Sequence, residues 1–206
     1  MTPQGAILMS PGKTLRQGEQ ELHRAFYNSH QIPILAQITN ARAEAGDTLW
    51  LDDETLIIGK GFRTNAAGAA QITDALAPLG ITCPTFDLPT YTGADACLHL
   101  MSLISMLDTK TALICRELLP VALFEMLQDK GITLIEAPFH EFEASGTLST
   151  NVLCTKPGHV VMINGMTNTQ HAIENAGITV TTFDADALCI ACEGGPTCLT
   201  RPILRS

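Results

Sequence analysis

Along the chain, amphipathic stretches with helical spacing alternate with short runs of apolar and β-branched residues. Helical periodicity covers residues 16–29, 65–79, 117–130 and 167–176. The same punctuation follows each stretch: His30-Gln-Ile32-Pro-Ile, Gly80-Ile81-Thr-Cys, Gly131-Ile132-Thr-Leu and Gly177-Ile178-Thr-Val. A glycine that stops a helix, followed by a β-branched run, predicts a helix-to-strand junction. The junction isoleucines recur about every fifty residues, which marks an internal repeat. Between a junction and the next helix lie two more apolar runs, such as 48–51 with 55–58 and 152–154 with 159–163. Asp52-Asp-Glu54 and Lys156-Pro-Gly158 separate these pairs and have the composition of hairpin turns. Each repeat thus reads as one helix and three strands. A unit of that size cannot cover its own apolar face, so it must stack on its neighbours, as in a propeller or solenoid. No low-complexity linker interrupts the pattern, and residues 1–206 read as one continuous α/β domain. The run from Ala187 to Cys192 alternates in apolar character and reads as a buried strand.

Composition narrows the function classes. Hydrophobic residues make up 46% and charged residues 16% of the 206, the balance of a packed chain and not of a disordered one. The net charge of −9 and scattered basic residues argue against nucleic acid and anionic membrane surfaces, while leaving cationic small molecules as partners. No apolar run approaches the ~20 residues that span a bilayer. The N-terminus, Met1-Thr-Pro-Gln-Gly, lacks a basic region followed by an apolar one, so a cytoplasmic protein with reduced thiols is expected. Seven cysteines lie at irregular spacing; Cys189-Ile-Ala-Cys192 has no second Cys-x-x-Cys to complete a zinc site and reads as structural burial. Neither a metal nor a cofactor is expected.

Candidate chemistry gathers near the C-terminus. Cys198 follows Gly194-Gly195-Pro196 and precedes Thr200 and Pro202, so a constrained turn presents its thiol. Such a thiol becomes a nucleophile when a base or positive charge lies nearby. Glu44-Ala-Gly-Asp47 and Leu98-His99-Leu100 supply a carboxylate and an imidazole. Cysteine, histidine and carboxylate on separate loops are the parts of a thiol hydrolase or transferase. Each residue also has a plainer reading: Cys198 as a small buried hydrophobe, His99 as a core histidine, Glu44 as a loop acid, and Arg16 and Arg63 as surface charges.

Five motifs in order carry a resemblance: Glu44-Ala-Gly-Asp47, Leu51-Asp-Asp53, Ile57-Ile-Gly59-Lys-Gly61-Phe-Arg63-Thr-Asn65, Cys97-Leu-His99-Leu100 and Gly194-Gly-Pro-Thr-Cys198-Leu-Thr. Together they resemble the guanidino-group-modifying enzymes of the pentein superfamily, most of all dimethylarginine dimethylaminohydrolase and its amidinotransferase relatives. The resemblance spans residues 5–203 and implies a five-bladed α/β-propeller of ββαβ-type units, of which about four are present here. It implies Cys198 as nucleophile, His99 as general acid/base, Glu44 as the carboxylate that orients the histidine, and Arg63 and Arg16 as the grip on the substrate's carboxylate. The implied reaction is C–N hydrolysis of a guanidino amino acid, N-methylated arginine giving citrulline and an amine; an amidinotransferase and a non-catalytic binding remnant are the alternatives. The partner is then a small guanidino molecule, with a homodimer left open.

Two departures sharpen this. Deiminase-like members carry His-Leu-Asp, whereas Met101 follows His99-Leu100 here, which suits an N-alkylated guanidinium better than an unsubstituted one. In the family an acid that holds the guanidinium lies just ahead of the strand corresponding to Gly5-Ala-Ile-Leu-Met9, so an N-terminally incomplete domain is expected.

Overall fold

The computed structural model describes residues 1–94, 98–191 and 194–203. Cys97 and Cys192, which belong to two of the motifs above, lie outside the described residues. The chain divides into two compact units, Met1–Asp87 with the segment that begins at Arg201, and Leu88–Thr200.

In the first unit, β1 (Ala6–Leu8), α1 (Glu19–Ser29) and β2 (Ile34–Gln37) form a parallel βαβ pair. Then β3 (Thr48–Asp52) and β4 (Thr55–Lys60) make a hairpin, and α2 (Ala66–Leu76) crosses over to β5 (Thr85–Asp87), parallel to β4. The second unit repeats this scheme twice. Strands β6 (Ile104–Asp108) and β7 (Thr111–Ile114) pair antiparallel, α3 (Val121–Asp129) follows, and β8 (Thr133–Glu136) lies parallel to β7. After α4 (Phe139–Ala144), the same order recurs in β9 (Leu153–Lys156), β10 (His159–Ile163), α5 (Thr167–Asn175) and β11 (Thr179–Phe183). Three ββαβ sheets, each with its second strand central, and one βαβ sheet are therefore present among the described residues. The repeat read from the sequence is the repeat observed.

Its physical basis is one cap used four times. The residue before each junction isoleucine is left-handed: Gln31 at φ +55°, Gly80 at +75°, Gly131 at +68° and Gly177 at +82°. The isoleucine N–H then reaches back five residues, to the carbonyls of Tyr27, Leu76, Leu127 and Ile173 at 2.9–3.4 Å. This is the 6→1 bond of a Schellman cap, and it turns the chain from helix into strand. Ile81, Ile132 and Ile178 each drop into the core at 6% exposure. In the first unit the core is built from Ile7, Ile38, Leu56, Ile58, Ile72 and Leu76; in the second, Leu107, Leu113, Val160, Met162 and Ile173 pack together.

Two elements differ from expectation. Helix α4 carries no long periodic run, yet it brings a buried acid to the start of α5. Glu141 accepts hydrogen bonds from the N–H groups of Asn168 and Thr169 and from the Thr169 hydroxyl at 2.6–2.8 Å. Burial pushes its carboxyl up, but these bonds outweigh that and hold it below its ordinary value. The second is a correction: residues 186–190 form a π-helical turn and not a strand. The Ala185 carbonyl accepts from both Cys189 and Ile190 N–H, so the backbone is satisfied locally and needs no ladder partner. Cys189 is buried as expected, while Leu188 and Ile190 are exposed.

Gln31 is exposed and pays the steric penalty of the left-handed region that glycine avoids at the other three junctions. Gln31→Gly should raise stability by up to about 1 kcal/mol, read as a higher denaturation midpoint in urea with an unchanged slope.

Candidate active site

In the first unit, two motifs lock together around one carboxylate. Glu44 precedes a short 3-10 turn (Ala45–Asp47) ahead of β3, and Arg63-Thr64-Asn65 lies between β4 and α2. Glu44 is 3% exposed and Arg63 6%. The Arg63 fork closes on Glu44, Nε to Oε1 at 2.8 Å and Nη2 to Oε2 at 2.7 Å. Arg16 Nη1 donates to Oε2 at 2.7 Å, and the Gly12 N–H donates to Oε1 at 2.8 Å. The neighbouring residues fix this geometry. Thr64 Oγ1 accepts from the Glu44 N–H at 3.0 Å and donates to the buried Asp47 carboxylate at 2.6 Å. Asn65 caps α2 through Gly68 N–H and also holds the Arg42 N–H. Arg16 sits in a 3-10 turn (Thr14–Arg16), half exposed, with its Nε and Nη2 on the Glu19 carboxylate at 2.8 and 2.7 Å. The structure thus brings Glu44, Arg63 and Arg16 into one ion-pair cluster.

His99 and Cys198 belong to the second unit. His99 lies in extended backbone before a 3-10 turn (Leu100–Ser102) and is 9% exposed. Cys198 sits on a turn closed by its own N–H to the Gly195 carbonyl at 3.0 Å. Gly194, Gly195, Pro196 and Thr197 are buried beneath it, yet Cys198 itself is exposed. Among the described residues five cysteines are free, and only Cys198 is exposed. Burial pushes the Cys115 thiol up to about 11 and also raises Cys83, which disfavours the nucleophilic thiolate at both.

Sequence reasoning missed what holds the Cys198 turn. Asn151, 2% exposed, accepts the Thr197 N–H and hydroxyl on Oδ1 at 3.0 and 2.6 Å, and its Nδ2 lies 3.2 Å from the Cys198 sulfur. A Cβ on Gly195 would fall 2.4 Å from Asn151 Oδ1. Gly195 is therefore required by close approach of a side chain, a demand that its position in a glycine pair only hints at. Among the described residues no group of three or more His, Cys, Asp or Glu side chains could hold a metal ion, and no helix is long and apolar enough to cross a membrane.

A sequence model of the arginine deiminase family matches residues 2–124 and 119–205. The chain belongs to this family. An arginine deiminase of Mycobacterium avium is 26% identical over 207 residues, with 88% of this chain and 49% of that protein covered. The chain therefore spans about half the length of that relative. A crystal structure of dimethylarginine dimethylaminohydrolase, in an adduct with 4-chloro-2-hydroxymethylpyridine, is 25% identical with a TM-score of 0.75 over 96% of this chain and 73% of that one. An amidinotransferase from Microseira wollei shares the fold at 14% identity, with a TM-score of 0.76 over 99% of this chain and 70% of that one. The ββαβ repeat is accordingly that of the pentein fold, and the chain is a member of the guanidino-group-modifying pentein superfamily.

Removing one partner from a buried ion cluster leaves the other charges uncompensated. Glu44→Gln should lower unfolding stability by about 3–5 kcal/mol, whereas Glu19→Gln, at the exposed end of the same cluster, should change it by less than about 1 kcal/mol. Urea denaturation of the two variants side by side checks this.

Proposed function

We propose that the chain is a hydrolase that cleaves a C–N bond of a guanidino amino acid, N-methylated arginine, and releases citrulline and an amine. The observation that carries this reading is the presentation of Cys198: an exposed thiol on a buried, rigid turn, with an amide N–H₂ against its sulfur. A guanidinium carbon is resonance-stabilised and yields to a strong nucleophile such as a thiolate. Attack by Cys198 forms a C–S bond and a tetrahedral adduct. His99, the general acid, protonates the departing amine as its C–N bond breaks. Water, deprotonated by the same imidazole, then adds to the carbon; the C–S bond breaks, and citrulline leaves with the thiolate restored.

Glu44 is the carboxylate of the set, and Arg63, Arg16 and the Gly12 N–H fix its rotamer. Arg16 is the stronger candidate for the substrate's carboxylate, because its fork already closes on a carboxylate, Glu19, in bidentate geometry and is partly open to solvent. Arg63 enters through Glu44, on which its own fork lies. Met101, half-buried and two residues beyond His99, offers an apolar contact where deiminase-like relatives have an acid. A desolvated guanidinium N–H left without an acceptor costs about 1–3 kcal/mol, whereas a methyl group there loses no hydrogen bond.

Cys198→Ser should abolish turnover without changing the circular dichroism spectrum, and His99→Gly should slow it by about a hundred-fold or more. Citrulline should form faster from N-methylated than from plain arginine. Faster release from plain arginine would overturn the substrate assignment, and transfer of the amidino group to an added amine without citrulline would assign a transferase.

A further inference from the structure

The buried carboxamide beneath the Cys198 turn has a determined orientation. The Thr197 backbone N–H can only donate, so the Asn151 atom that faces it at 3.0 Å is the oxygen. The Thr197 hydroxyl donates to the same oxygen at 2.6 Å. The nitrogen is therefore the atom 3.2 Å from the Cys198 sulfur, and it approaches as a donor. A neutral thiol accepts weakly, and a thiolate accepts well. The chain is shaped for this contact: residue 195 must lack a Cβ, which would otherwise overlap the carboxamide at 2.4–2.7 Å.

The same stretch reaches toward the other reactive side chain. Thr150 Oγ1 donates to the Ser102 carbonyl, and the Ser102 N–H donates to the His99 carbonyl at 2.9 Å. Ser105 Oγ donates to the Thr150 carbonyl at 2.7 Å and accepts the Val152 N–H at 3.3 Å. Thr150 and Asn151 thus tie the turn of Cys198 to the turn of His99 through buried hydrogen bonds.

We propose that Asn151 is a positioning residue for the nucleophile: its carboxamide fixes the direction of the Cys198 sulfur and gives the attacking thiolate a hydrogen bond. The inference rests on the reading of Cys198 as nucleophile. Asn151→Asp separates the donor from the shape. One carboxylate oxygen keeps both Thr197 bonds, and the other places negative charge against the sulfur.

The test is the rate at which iodoacetamide alkylates Cys198, followed by peptide mass mapping across pH, in the wild-type chain and in Asn151→Asp. The midpoint of the profile should move up by about one pH unit or more, and kcat should fall about tenfold or more with KM nearly unchanged. Gly195→Ala, which displaces the carboxamide without altering it, should move the midpoint in the same direction and serves if Asn151→Asp does not fold. An unchanged midpoint in a folded variant would overturn the proposal and leave the nucleophile assignment intact. Turnover by Cys198→Ser would overturn that assignment without bearing on the alkylation profile.

Discussion

In the second unit a single stretch of three residues, Thr150-Asn151-Val152, holds two turns at once through its hydrogen bonds. Thr150 and Val152 engage the Ser102 carbonyl and the Ser105 hydroxyl, and Asn151 engages Thr197 and Cys198. All of these contacts except Cys198 itself are buried, where an unmade hydrogen bond is far costlier than in water. The constraint is therefore strict. The repeat places it, because Asn151 lies two residues ahead of β9, the first strand of the last ββαβ unit.

A different device organises the first unit. Its motifs converge on charge: Glu44 collects Arg63, Arg16 and a backbone N–H, and Thr64 bridges Glu44 to Asp47. Arg63 is buried with its partner, and Arg16 reaches the same carboxylate from the solvent side. The result is a buried anion held by one buried cation and one cation that is partly open to solvent.

Much of this was legible in the chain. The glycine-isoleucine junctions are local signals, since a left-handed residue followed by a buried β-branched one defines the cap whatever surrounds it, and they placed the helices and the parallel strands. The hairpins at Asp52 and Lys156 were legible from turn composition, which is also local. What stayed hidden was set by distant contacts. Helix α4 sets Glu141 against the start of α5, 27 residues along in the case of Asn168. The turn at residues 186–190 defeats a two-residue alternation because its backbone bonds close on Ala185. Asn151 carries no local signature at all; its role appears only when Gly195, Thr197 and Cys198 are folded against it. For the candidate site, the glycine pair pointed to an exposed thiol at Cys198, whereas Asn151, which holds that turn, lies 46 residues from Thr197 and 47 from Cys198 in sequence.

Mass spectrometry of the chain, acid-quenched at short times during turnover of N-methylated arginine, shows whether Cys198 is the nucleophile. An S-alkylthiouronium adduct on the peptide that carries Cys198, with the mass of the substrate less its amine, should appear before citrulline and decay as citrulline forms. Citrulline released at full rate with no adduct on that peptide at any quench time, or an adduct on another cysteine, would contradict it.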